Sequence, residues 1–102
     1  MPAVARGFGV DIVLTNHGCD PDTTTLGGST RVFVNGIGIH RLGDANTDHQ
    51  IPSGDGCATH STVINSASPR VFADGLPVAR VGDPYSGGET VSTGSFNVFV
   101  DL

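Results

Sequence analysis

The chain contains no lysine and no tryptophan, and only one tyrosine, one methionine and two cysteines. Without lysine, its positive charge rests on Arg6, Arg31, Arg41, Arg70 and Arg80, against ten acidic residues, for a net charge of −5. Nucleic-acid binding needs clustered cations that displace counterions from phosphates, and no such cluster is present, so nucleic acid is excluded as a partner. No apolar run approaches the roughly 20 residues of a membrane-spanning helix. The start also lacks the charged, apolar and small-residue regions of a secretory signal. Helical periodicity is missing too, because Gly, Asn, Asp, Ser and Thr interrupt every window long enough to show it. Fifteen Gly and six Pro stay below the level that marks low-complexity disorder, so the chain is expected to fold. Read as one domain over 1–102, it has little apolar area to bury and needs a staple from a metal, a disulfide or a partner.

What the chain does have is repetition. Arg31-Val-Phe-Val-Asn-Gly-Ile-Gly-Ile-His-Arg-Leu-Gly-Asp44 recurs in register as Arg70-Val-Phe-Ala-Asp-Gly-Leu-Pro-Val-Ala-Arg-Val-Gly-Asp83. Each copy is a pair of short β-branched runs around Asn-Gly or Asp-Gly, which signals a hairpin with a type I′ turn. A third copy is cut in two: Asn97-Val-Phe-Val-Asp-Leu102 matches the outgoing strand, and Pro2-Ala-Val-Ala-Arg6 the return strand. Pairing of the two ends would close a ring of three units, giving an all-β, pseudo-threefold structure with adjacent termini and no significant helix. Strands are expected at 3–6, 31–34, 37–41, 62–64, 70–73, 76–81 and 97–100. Phe33, Phe72 and Phe99 take equivalent places and are expected to form a shared core layer. The repeated Gly43-Asp44 and Gly82-Asp83 read as turn formers, and four of the five arginines as architectural.

Between the hairpins lie polar, largely irregular segments at 10–30, 45–68 and 84–94. Segments this long inside a compact domain usually carry function or a bound ion. The candidate ligands are His17, Cys19, His40, His49, Cys57 and His60, in the first two segments or on the strand feeding the second. The third segment has neither His nor Cys, which confines the expected chemistry to one region of the ring. Cys57-Ala-Thr-His60 has the C-x-x-H spacing that brings two ligands from one turn to one ion, and thiolate plus imidazole suits Zn²⁺. The competing reading for the cysteines is a Cys19–Cys57 disulfide, as in a secreted binding module. A zinc hydrolase would instead keep an open coordination position with a nearby base. No spacing of Ser, Asp and His singles out a catalytic triad.

Pro77-Val-Ala-Arg80 with Val81-Gly82-Asp83 resembles the Pro-Ala-Ala-Arg motif of the PAAR-repeat proteins, and the likeness extends over nearly the whole chain. Ile37-Gly-Ile-His-Arg-Leu-Gly-Asp44 and His17-Gly-Cys19 are similar to phage-type members, in which His replaces the second Ala of the motif. The resemblance implies a small cone that sharpens and caps the trimeric β-helical spike of a contractile injection machine. It implies a non-enzymatic, structural role with zinc near the vertex, held by three His and one Cys. Carried over, the ligands are His17, Cys57 and His60, with His49 as the fourth, His40 as first reserve and Cys19 as second. The pseudo-threefold symmetry leads to an expectation of one copy per spike trimer, in transient contact with a target outer membrane. Some relatives carry fused toxin domains, but this chain ends inside its third repeat, so no fused effector is expected. The location implied is a phage tail tip in preference to a type VI secretion spike.

Overall fold

The computed structural model describes residues 2–101; Leu102, which completes the third repeat copy in the sequence, lies outside them. Among the described residues there is no helix. Nine short strands occur in order: β1 (Ile12–Leu14), β2 (Asp22–Thr24), β3 (Phe33–Val34), β4 (Ile37–Gly38), β5 (His49–Ser53), β6 (Gly56–His60), β7 (Phe72–Ala73), β8 (Leu76–Pro77) and β9 (Thr90–Val91). They form hairpins β3–β4, β5–β6 and β7–β8 and a three-stranded antiparallel sheet ordered β2-β1-β9.

The two full repeats fold as the expected hairpins. Asn35-Gly36 and Asp74-Gly75 all have positive φ, as a type I′ turn demands, and the flanking strands pair Phe33 with Gly38 and Phe72 with Pro77. The split third copy pairs as well: Ala3 bridges Phe99, and the Val100 N–H donates to the Pro2 carbonyl at 3.1 Å. The chain ends are therefore neighbours, and the ring closes.

Closure is visible in the backbone. Ala5, His40 and Ala79 occupy the same repeat position and hydrogen-bond in a cycle: Ala5 N–H to Ala79 C=O at 2.9 Å, Ala79 N–H to His40 C=O at 2.9 Å, and His40 N–H to Ala5 C=O at 3.1 Å. All three residues are 0% exposed. Around this triangle the side chains repeat too. Arg6, Arg41 and Arg80 each clamp one carboxylate with backbone N–H, Nε and a terminal nitrogen: Asp11, Asp44 and Asp83 respectively. Each guanidinium also reaches the turn residue of the next hairpin, Asn35, Asp74 or Asp101. Ser29, Ser68 and Ser95 each accept two backbone N–H groups at the start of a repeat. The third clamp was hidden from sequence comparison because Arg6 and Asp11 are five residues apart, where the other pairs are three apart.

Strand alternation divides the apolar residues between two small cores. Val4, Val34, Ile39, Ala73 and Val78 form one, on the hairpin side of the triangle; Ala5, Val13, Ile64, Ala79, Tyr85 and Val91 form the other. Phe33, Phe72 and Phe99 belong to neither. They are 56%, 54% and 46% exposed, so the expected phenylalanine core layer is wrong. The physical reason is size: the inward face converges on the ring axis, where only Val, Ile and Ala fit, and phenyl rings are left outside.

The segments between hairpins are also more ordered than expected. Segment 10–30 supplies β1 and β2, segment 45–68 the β5–β6 hairpin, and segment 84–94 supplies β9. Strands this short show too little alternation to register as a period.

Candidate metal centre

The cluster is built from all three segments. The antiparallel register of β5 and β6 sets His49 opposite His60, so the first residue of one strand and the last of the other share a face. His17 arrives on the loop after β1, whose residues Asn16 and Cys19 both have positive φ. Asn16 Nδ2 donates to the Gly88 carbonyl at 3.0 Å, tying this loop to the third segment. That segment contributes Glu89, which is 0% exposed. A side chain at Gly87 would place its Cβ 2.6 Å from Glu89 Oε1, so glycine there is what lets the carboxylate fold inward.

One donor atom from each of His17, His49, His60 and Glu89 lies within 4.8 Å of all the others. Glu89 Oε2 stands 2.8 Å from His49 Nε2, 2.9 Å from His60 Nε2 and 3.3 Å from His17 Nε2. The other oxygen, Oε1, accepts from the Thr62 hydroxyl at 2.8 Å. His49 Nδ1 is 2.9 Å from the Thr47 carbonyl, which can only accept, so Nδ1 carries a proton, and Nε2 faces the carboxylate either as a second N–H donor or, once deprotonated, as a lone pair for an ion. His60 Nε2 is 2.8 Å from His49 Nε2, and His17 Nε2 is buried with no hydrogen-bond partner. Three imidazole nitrogens and a carboxylate oxygen at this spacing can all turn lone pairs to a single cation. Burial would push the Glu89 carboxyl up, but hydrogen bonds from its own backbone N–H, the Thr62 hydroxyl and His49 outweigh this and hold it below the usual carboxylate range. An ionised carboxylate beneath three imidazoles fits a divalent ion. Ligands about 2.0–2.1 Å from tetrahedral Zn²⁺ stand about 3.3 Å apart, inside the range from 2.8 Å to 4.8 Å over which the donors lie here.

Of the residues expected to ligate, His17, His49 and His60 come together. Cys57 does not: its sulfur is bonded to that of Cys19, with the Cα atoms 6.3 Å apart. The C-x-x-H argument assumed a turn, but both residues lie on the extended strand β6, where positions three apart face opposite ways. Cys19, the second reserve, is occupied by the same bond, so the cysteines form the disulfide rather than a thiolate site. His40, the first reserve, is a core residue. Its Nδ1 donates to the Gly27 carbonyl and its Nε2 accepts from the Tyr85 hydroxyl, both at 2.7 Å. Burial pushes the His40 imidazole down, and burial with the nearby Glu89 charge pushes the Tyr85 phenol up, so each keeps the form that bond needs. The third segment, expected to lack chemistry, supplies the fourth donor. One signal could have found it: Glu89 is the single glutamate in a chain with nine aspartates.

The family model described as PAAR motif matches residues 15–91 and again residues 53–102. Overlapping placements of one model are what an internally repeated ring produces. A search of curated proteins returned no match. Repeat, ring closure and the family match agree, and the chain belongs to the PAAR-motif family.

Proposed function

We propose that this chain is the tip of a contractile injection machine, a single rigid domain pinned by Zn²⁺ held by His17, His49, His60 and Glu89. The observation that carries the reading is the convergence of four donors from three separate segments on one buried point. Coordination there ties the segments together where the apolar cores are too small to do so. Structural zinc contributes on the order of 10 kcal/mol to folding in favourable cases. Four protein donors leave no open position for a reacting water, which supports a mechanical ion over a catalytic one. The chain works in compression, and a coordinated, disulfide-tied end resists splaying.

The opposite, hairpin side is the seat on the spike. Phe33, Phe72 and Phe99 are exposed in three equivalent places, so one chain offers nearly equivalent contacts to each member of a threefold trimer. One copy per trimer follows from that arrangement. The phage tail tip is favoured over a type VI secretion spike by the His40 and His17-Gly-Cys19 resemblance alone. Metal analysis of the purified chain, with X-ray absorption to count neighbours, tests the site: the expected result is one zinc with nitrogen and oxygen neighbours. A sulfur neighbour, or a metal-free protein of equal stability, would overturn it. Native mass spectrometry of the chain with its spike trimer tests the stoichiometry, and three copies per trimer would refute it.

A further inference from the structure

Three of the five arginines, Arg6, Arg41 and Arg80, are engaged in the carboxylate clamps. Arg31 and Arg70 are exposed and make no ion pair or side-chain hydrogen bond with the described residues. They occupy the same repeat position, each two residues before a ring phenylalanine, Phe33 or Phe72. The third lobe differs. Its matching residue is Asn97, whose Oδ1 accepts from Asn35 Nδ2 at 2.8 Å, and beside it Phe96 is 78% exposed. Asp22, Asp48 and Asp55, exposed acids without a cation partner among the described residues, lie instead in the segments that build the metal-cluster side. The acidic chain thus collects its unpaired cations beside its exposed aromatics.

An interface that covers a guanidinium must answer its charge, because an unpaired buried charge costs several kcal/mol. Resting on the spike-cap reading, we infer that the hairpin side recognises a threefold face on which each chain presents an apolar recess and, next to it, a carboxylate. Phe33, Phe72 and Phe99 enter the recesses. Arg31 and Arg70 pair with two of the carboxylates, and the third faces Asn97 without a cation. Because the partner is symmetric, the cap seats equally in three rotations, always leaving one acid unanswered.

The test measures binding of the full chain to the spike trimer of the same particle, at about 50 and about 500 mM NaCl. Screening at the higher salt removes most of an exposed ionic contribution. The Arg31→Gln/Arg70→Gln double variant is expected to bind about tenfold more weakly at low salt and to converge on wild type at high salt. Arg31→Lys/Arg70→Lys is expected to keep most of the salt dependence. Asn97→Arg, which completes the set, is expected to bind several-fold more tightly at low salt. Melting temperatures, expected to match wild type for the exposed arginine variants, separate binding from folding. Wild-type binding with an unaffected double-glutamine variant, or an intact Asn97→Arg variant that binds no better, would sink the inference and leave the cap reading standing. No binding by the wild type at either salt would sink both.

Discussion

The hairpin side and the metal-cluster side of this molecule are built on opposite principles. On the hairpin side most features occur three times: the backbone links of Ala5, His40 and Ala79, the arginine clamps, the serine turns and the exposed phenylalanines, with Asn97 in place of Arg31 and Arg70 as the exception. On the other side almost nothing is repeated. One segment gives His17, the second gives His49 and His60, the third gives Glu89, and a single disulfide ties Cys19 to Cys57. A surface that meets a symmetric partner, as proposed for the hairpin side, gains from repetition. An ion needs four donors around one point, which three copies of one ligand cannot supply.

Ways to break this comparison run from strong to weak. Chelation should have the largest effect, since a structural zinc of the kind proposed would stabilise the fold by on the order of 10 kcal/mol. A thermal melt before and after chelator should show a fall larger than that of any single substitution on the hairpin side, and Glu89→Gln should mimic it. Reduction of the disulfide comes next. It closes a 38-residue separation, for which the chain-entropy model gives about 4 kcal/mol, readable from denaturant midpoints with and without reductant.

The clamps sharpen the symmetric half of the comparison. Asp11→Ala, Asp44→Ala and Asp83→Ala each strip charged hydrogen bonds from a partly buried arginine and should each cost about 2–4 kcal/mol. Equal losses within about 1 kcal/mol support three equivalent units; one silent variant would break the equivalence. The smallest effect belongs to the link between the halves. Tyr85→Phe leaves the His40 Nε2 acceptor buried and unsatisfied, for about 1–2 kcal/mol.

The same link predicts a pH dependence. Folding holds the His40 imidazole below its ordinary value of 6.5, so only the unfolded chain takes up that proton as the pH falls below 6.5. This stabilisation is therefore full above that pH and lost as the pH falls towards the folded value. Urea titrations of the metal-loaded protein should show a component of acid sensitivity that His40→Leu removes.

Turn chemistry and in-register repetition made the hairpins legible, because Asn35-Gly36 and Asp74-Gly75 encode their conformation within two residues. Ring closure was legible for a related reason: the split third copy needs its other half. The histidines stood out as candidate ligands by type, and three of the four, His17, His49 and His60, come together in one cluster. Tyr85 and His40 were not, since a tyrosine in a Gly-rich loop and a histidine on a repeat strand give no local sign that they meet in a core. Nor did local sequence separate Cys57 from His60, whose sides depend on β6 being extended.

By itself the sequence determined the threefold unit, its turns and the pairing of its ends, since these depend on contacts at fixed spacing along the chain. Only the tertiary structure decided which side chains face inward and which four donors meet. The axis admits valine but not phenylalanine, and Glu89 reaches the histidines only because β5, β6 and the His17 loop fold over it. Those outcomes depend on distances between segments far apart in the chain, which no local pattern records.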